Sequence, residues 1–259
     1  MSGDILYEIH DGIGHITFNR PQARNSFTFR MYEQLGEICE QVEKDSSIKV
    51  LLLTGAGEKA FAAGTDISEF KVFSTAQDAL DYESRIERVL RALENSRLPT
   101  IAAIAGVCTG GGFTIAGCCD LRIGAANARL GVPIGRTLGN CLSMSNYVRL
   151  VAMLGPARVK DIIFTGRLIE AEEACKIGLL GEVLPNYENL QRRANELAQT
   201  VASQAPLTLR ATKEALRRIK ERMNPQEDRD LILMCYMSSD FREGMDAFLN
   251  KRPPKWTGT

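Results

Sequence analysis

"GGGFTIAGCCD", residues 110–120, is a glycine triplet running directly into an apolar stretch. Gly110, Gly111 and Gly112 permit a sharp backbone turn and leave N–H groups exposed, where they can hold an anion. Short apolar runs flank the triplet: "IAAIAG" (101–106) before it and "DLRIGA" (120–125) after it, both reading as strands. The segment between them reads as the glycine turn followed by a short helix. Upstream, "IKVLLLTGAG" (48–57) is a continuous apolar run ending in glycines, the pattern of a buried strand. It leads into a second glycine turn, "AFAAGTDISEF" (60–70). Brought together, two such turns aim two backbone N–H donors at one carbonyl oxygen, which is an oxyanion hole. A phosphate loop does not fit, because neither G-x-x-x-x-G-K-[ST] nor G-x-G-x-x-G with a distant acid is present.

Outward from this centre, "ILYEIHDGIGHITFNRP" (5–21) reads as a hairpin around Asp11-Gly12, closed by Pro21. Residues 28–44 place Met31, Leu35, Ile38, Cys39 and Val42 on one helical face. Residues 77–96 predict an amphipathic helix carrying Leu80, Ile86, Val89, Leu90 and Leu93, ended before Pro99. After Pro156 the chain reads as mostly helical, with helices at 207–222 and 226–249 and a basic, proline-rich tail. The expected class is α/β: a core of strand–strand–helix units over residues 1–200 and a C-terminal helical segment over 201–259.

The 259 residues carry 32 Lys+Arg and 32 Asp+Glu, a formal charge of zero. Neither nucleic acid nor an anionic membrane is expected as the main partner, so any anion site is local. The seven cysteines are scattered without C-x-x-C spacing, which argues for reduced thiols rather than disulfides or zinc. His10 and His15, both in the first strands, leave no basis for a Ser-His-Asp triad or a His-based metal site. The N-terminus lacks a leader pattern, and no apolar run approaches the roughly 20 residues of a membrane span. A cytoplasmic, metal-free protein is expected.

In order along nearly the whole chain, "FNRPQARNSF", "LLLTGAGEKAFAAGTDISEF", "LPTIAAIAGVCTGGGFTIAGCCDLRIGAANARLGVP", "LGPARVKDIIFTGRLIEAEEACKIGLLGEVLP" and "FREGMDAFLNKRPPKW" resemble the crotonase (enoyl-CoA hydratase/isomerase) superfamily. The resemblance implies a spiral of ββα units whose C-terminal helices pack in trimers or dimers of trimers. It also implies an acyl-CoA thioester substrate, with coenzyme A as part of the substrate and no separate cofactor. By motif, the oxyanion donors are the N–H groups of Thr65 and Gly111. Ala23, Arg24, Ala63, Asp66 and Ile67 line the CoA channel, and Lys251 or Lys255 stands near the CoA phosphates.

Hydratases that this chain resembles use two glutamates. Here those positions hold Thr114, three residues after Gly111, and Ile134, directly after Pro133. An unactivated hydroxyl and a hydrocarbon cannot act as bases near pH 7, so the resemblance points away from standard hydration. Glu87, on the 77–96 helix, is the expected replacement acid or base, at about the spacing of a pocket His in the related 4-chlorobenzoyl-CoA dehalogenases. Cys141 stands where those enzymes carry a nucleophilic Asp. Asp66 reads better as a helix cap than as a base, and it is followed by Glu69. Arg136 and Asn140 suit a polar acyl group. Phe70, Val72, Phe73, Ile134 and Leu138 suit an apolar acyl chain or ring. "RLGVP" and "VKDIIFT" also resemble methylmalonyl-CoA decarboxylase of the same superfamily. The open alternatives are a decarboxylase, a thioester hydrolase or dehalogenase-like lyase, and a non-catalytic acyl-CoA binder.

Overall fold

The Asp11-Gly12 turn closes a hairpin of β1 (Ile5–His10) and β2 (Ile13–Phe18), paired antiparallel from Ile5↔Phe18 to His10↔Ile13. The computed structural model that shows this describes residues 3–222 and 228–259. From β2 onward the sheet is parallel. It takes in β3 (Val50–Gly55), β5 (Thr100–Ile104), β7 (Leu121–Ala125) and β10 (Glu182–Leu184), in the order β1-β2-β3-β5-β7-β10. β3 and β5 are buried almost throughout, as continuous apolar runs in a parallel sheet should be.

A second, four-stranded sheet stands beside the first. It consists of β4 (Ala60–Ala62), β6 (Val107–Thr109), β8 (Arg129–Gly131) and β9 (Ile169–Glu170), in the order β4-β6-β8-β9. Each pass of the chain gives one strand to each sheet: β3 then β4, β5 then β6, β7 then β8. This is the ββα spiral the resemblance implies. The strands of the second sheet have three residues or fewer, too short for a period-two pattern to register in sequence.

The helices fill the spaces between passes. α1 (Phe29–Lys44) is capped by Thr28, whose hydroxyl accepts the Met31 N–H, and it buries Met31, Leu35, Ile38, Cys39 and Val42. α2 (Ala76–Glu94) opens with a Thr75/Asp78 capping box and buries Ala79, Ile86, Val89, Leu90 and Leu93. α3 (Gly111–Cys118) follows the glycine triplet directly. Then come α4 (Ile134–Thr137) and α5 (Met144–Thr165), the latter kinked at Gly155-Pro156. α6 (Ala171–Lys176) is short, and α7 (Tyr187–Ala202) covers the outer face of the first sheet with Leu190, Ala194 and Ala198.

The C-terminal segment adds α8 (Pro206–Glu221), α9 (Arg229–Tyr236) and α10 (Ser239–Leu249). Residues 226–227 of the helix expected at 226–249 lie outside the described residues. The remainder is two helices, separated where the Ser238 hydroxyl caps α10 by accepting the Phe241 N–H at 2.9 Å. α9 and α10 pack on α2 and on the 3-10 turn Ile67–Val72, forming a small core of their own around Phe70, Leu138, Tyr236 and Phe241. Among the described residues no helix is long and apolar enough to cross a membrane.

Candidate active site

The adjacent parallel strands β4 and β6 deliver the two glycine turns to the same place. Gly64 has φ +102° and Gly110 has φ +51°, conformations that L side chains rarely adopt. The turns touch: a Cβ on Gly110 would lie 3.6 Å from the Gly64 Cα, and a Cβ on Gly64 would lie 3.8 Å from the Gly111 nitrogen. Thr65 forms a bridge with Phe27, in which the Phe27 N–H donates to Gly64 O and the Asp66 N–H donates to Phe27 O. That pattern turns the Thr65 N–H to the opposite side. Gly111 is the first residue of α3, where an N–H has no intrahelical acceptor. Among the described residues neither N–H has a hydrogen-bond acceptor. Two free donors therefore stand on touching turns, one of them at the positive end of a helix.

They border a cavity of about 550 Å³. Ala23, Arg24, Ala63, Asp66 and Ile67 line it, with Arg24 exposed to solvent. Thr65 and Gly111 line it too, as do Thr114, Ile134, Leu138 and Cys141. The Thr114 hydroxyl is committed to Gly111 O at 2.8 Å, and Ile134 and Leu138 are buried. Asp66 caps the turn that follows it: its carboxylate accepts the Ser68 N–H at 3.1 Å and pairs with Arg20 at 3.1 Å. Against the burial that would raise its pKa, the bonds from Ser68 and Arg20 hold it below the usual carboxylate range. Glu69 is likewise structural, accepting the Phe29 N–H at 2.9 Å. Phe70 and Asn140 line the cavity; Val72, Arg136, Lys251 and Lys255 are exposed and outside its wall.

Glu87 is not in this wall. Its carboxylate is held bidentate by Arg149 at 2.8 and 2.9 Å and also accepts from Arg91 at 2.8 Å. Burial works to raise its pKa, but the two arginines outweigh it and lower it. The Arg149 side chain is 5% exposed and also meets Glu94, so the cluster ties α2 to α5. The expected acid–base role for Glu87 thus gives way to a structural one. The nucleophile reading of Cys141 fares no better. Its thiol donates to Leu231 O at 3.4 Å, and contact with Cys235, together with burial, pushes its pKa up, away from the thiolate.

The α2 carboxyl that does line the cavity, with Asp66, is Glu83, one helical turn before Glu87. The Tyr236 hydroxyl donates to it at 2.6 Å, and the Asn140 amide donates to that hydroxyl at 3.2 Å. Burial, opposed by the Tyr236 hydrogen bond and aided by Asp228 and Glu87, pushes the Glu83 pKa up to about 7. Beside it, the Tyr82 hydroxyl lies 3.0 Å from Thr65 Oγ1, and the Tyr32 hydroxyl lies 2.9 Å from the same oxygen. Sequence reasoning passed over Glu83 and the three tyrosines. The signal for Glu83 was present: it interrupts the apolar stripe Ala79, Ile86, Leu90 at helical spacing, and a charge inside a buried stripe needs a reason.

Residues 8–259 match the family model described as enoyl-CoA hydratase/isomerase. The chain belongs to the enoyl-CoA hydratase/isomerase family. It is 34% identical over 258 residues to the short-chain-enoyl-CoA hydratase of Clostridium acetobutylicum, covering 96% of this chain and 95% of that one. It is also 34% identical to the 1,2-epoxyphenylacetyl-CoA isomerase of Escherichia coli, over 98% of each chain. Among solved structures, it is similar to an enoyl-CoA hydratase/carnithine racemase of Magnetospirillum magneticum, at 31% identity and a TM-score of 0.81. That match covers 100% of this chain and 97% of that one. An enoyl-CoA hydratase/isomerase of Pseudoalteromonas atlantica matches at 26% identity and a TM-score of 0.86, over 98% of this chain and 100% of that one.

In this family member the half-buried Glu83 carries a stability signature. Its folded pKa of about 7 lies above the ordinary 4.5. The carboxyl therefore contributes least against unfolding once it is ionised: its stabilisation is complete below about 4.5 and is lost as pH rises through 7. Glu83→Gln, which stays neutral, is expected to match the wild-type melting temperature near pH 4. It should then gain on the wild type up to pH 7 and hold that gain above it. Thermal melts across this range check it; a difference independent of pH would contradict the buried titration.

Proposed function

We propose that the protein binds an acyl-CoA thioester and stabilises the enolate formed from it, with the Thr65 and Gly111 N–H groups as the oxyanion donors. The observation carrying this reading is the pair of unpartnered N–H groups on touching turns in one cavity wall. An α-proton of a thioester is too weakly acidic to leave unaided. Charge that develops on the thioester oxygen meets two preorganised donors, each worth about 2.7–4 kcal/mol in sites of this kind. In this reading the CoA portion runs along Ala23, Arg24, Ala63, Asp66 and Ile67. The exposed Arg24 guanidinium, which makes no ion pair among the described residues, is suited to a phosphate.

The reading favours proton transfer beside the thioester over water addition. Thr114 spends its hydroxyl on Gly111 O, and Ile134 offers hydrocarbon. Neither activates a water. Nor does the Cys141 thiol, raised by Cys235 and by burial, suit a covalent route. The CoA moiety is the only coenzyme the reaction requires.

The oligomer is part of the proposal. α8 exposes Leu216 at 61% and Ile219 at 59% on one face, and Leu207 at 77% in its first turn, on an otherwise charged helix. We assign these side chains to contacts between copies in a homotrimer or a dimer of trimers. Light scattering is expected to give about three or six times the 28.6 kDa chain mass; a monomer at micromolar concentration would contradict this.

The chemistry is tested by incubating the protein with crotonyl-CoA in D₂O and following the thioester by mass spectrometry. The expected outcome is bound crotonyl-CoA that gains deuterium without rapid water addition. A 3-hydroxy product formed faster than the exchange would count against the reading.

A further inference from the structure

A thioester enolate needs a base to make it and an acid to quench it, and the most effective such group titrates near the working pH. The carboxyls lining the cavity are Asp66 and Glu83. Asp66 is occupied by Arg20 and Ser68 and closes a turn, so its lone pairs are taken and its basicity is reduced. Burial keeps the phenols of Tyr32, Tyr82 and Tyr236 in their neutral form. Glu83 has one carboxylate oxygen engaged, by the Tyr236 hydroxyl at 2.6 Å. It also neighbours the oxyanion donors: the adjacent Tyr82 bonds Thr65 Oγ1, and Tyr32 bonds that oxygen while packing against Gly111.

We propose that Glu83 is the catalytic acid–base of this site, moving a proton to and from the carbon chain of the bound thioester, and that Tyr236 is a positioning residue that holds its carboxyl. This deepens, and rests on, the acyl-CoA reading above. In the forward step a C–H bond breaks, its electron pair enters the enolate, and the thioester oxygen takes the negative charge between the two N–H donors. The proton forms an O–H bond on Glu83. In the second step that proton returns to carbon. Where the Glu83 O–H has first swapped its hydrogen with solvent, return to the same carbon gives isotope exchange. In an enoyl thioester, a proton taken from one end of the allylic unit and returned to the other moves the double bond. No water, oxidant or leaving group is consumed. The substrate class is therefore an enoyl thioester, and the product is its positional isomer. One carboxyl suffices for this, whereas water addition as the resemblance implies it uses two.

Groups facing Glu83 come from several elements. Tyr236 and Asp228 come from α9 and its cap, Cys141 from the loop before α5, and Tyr82 and Glu87 from α2 itself. Burial raises the carboxyl while the Tyr236 hydrogen bond lowers it, so removing that hydroxyl moves the titration to higher pH.

The test uses butyryl-CoA in D₂O, with binding measured by calorimetry and α-proton exchange by NMR. Wild type is expected to exchange at a rate that climbs through about pH 7 to a plateau. Glu83→Gln is expected to keep its affinity within about threefold and to lose exchange by at least about a hundredfold. Tyr236→Phe is expected to keep affinity and shift the pH limb upward, a change that a merely structural tyrosine would not produce. Should the Gln variant fail to fold, Glu83→Asp, which keeps a carboxyl but draws it back by one methylene, is expected to keep affinity and slow exchange by at least about tenfold; exchange at the wild-type rate in it would overturn the proposal. Binding with no exchange in wild type, or exchange undiminished in Glu83→Gln, would overturn the proposal alone. Failure of wild type to bind butyryl-CoA would overturn the acyl-CoA reading and this proposal with it.

Discussion

The backbone contact between Gly64 and Gly110 is the constraint on which the site depends. Two turns can approach to this distance only if no side chain stands between them. The second sheet, with β4 beside β6, brings them there. The neighbouring glycines tolerate little else: a Cβ on Gly112 would come 2.2 Å from Ala62 O, and one on Gly111 would come 2.1 Å from the Tyr32 hydroxyl. The first approach forces the backbone to shift, and the second displaces the Tyr32 side chain. The main apolar core takes in Phe61 and Ala62 of β4 and Cys108 of β6, the strands that carry these turns, so packing energy is converted into the placement of two N–H groups.

The opposite wall is built on different physics. There α2 and the C-terminal helices meet in a small aromatic core, where Phe70 packs edge-on to Tyr82 at 5.0 Å and to Phe241 at 5.9 Å. Into that apolar setting the fold admits Glu83, Tyr236 and Asn140. A half-buried carboxyl in that apolar setting is a liability to stability once ionised. Such local costs cluster at functional sites, because a base that is fully solvated, or fully paired as Glu87 is, has nothing left to offer a substrate. The two glutamates one helical turn apart illustrate the point. Arg149 and Arg91 lower one, and burial beside a phenol raises the other.

Much of the scaffold was legible in the sequence, for reasons that follow from periodicity. The Asp11-Gly12 hairpin, the apolar run of β3 and the capped, amphipathic α1 and α2 all carry strong local signals, and each stands within a residue or two of its expected place. The second sheet was not legible, since three-residue strands are specified by their neighbours rather than by their own pattern. At the site, the glycine turns announced themselves because few residues tolerate those conformations. The acid was harder. Glu83 and Glu87 differ by one turn on one helix, and which faces the cavity is decided by partners distant in sequence: Arg149 on α5 for one and Tyr236 on α9 for the other. Phenols gave no signal at all, since a tyrosine reads equally well as core.

The most direct measurement is a crystal structure of the protein with a non-reactive acyl-CoA, such as a thioester whose α carbon carries no hydrogen. The expected result is the thioester oxygen within about 2.7–3.1 Å of both the Thr65 and Gly111 nitrogens, with the acyl chain running toward Glu83. A thioester oxygen bound elsewhere, with water on the two N–H groups, would contradict the assignment of the hole and everything built on it.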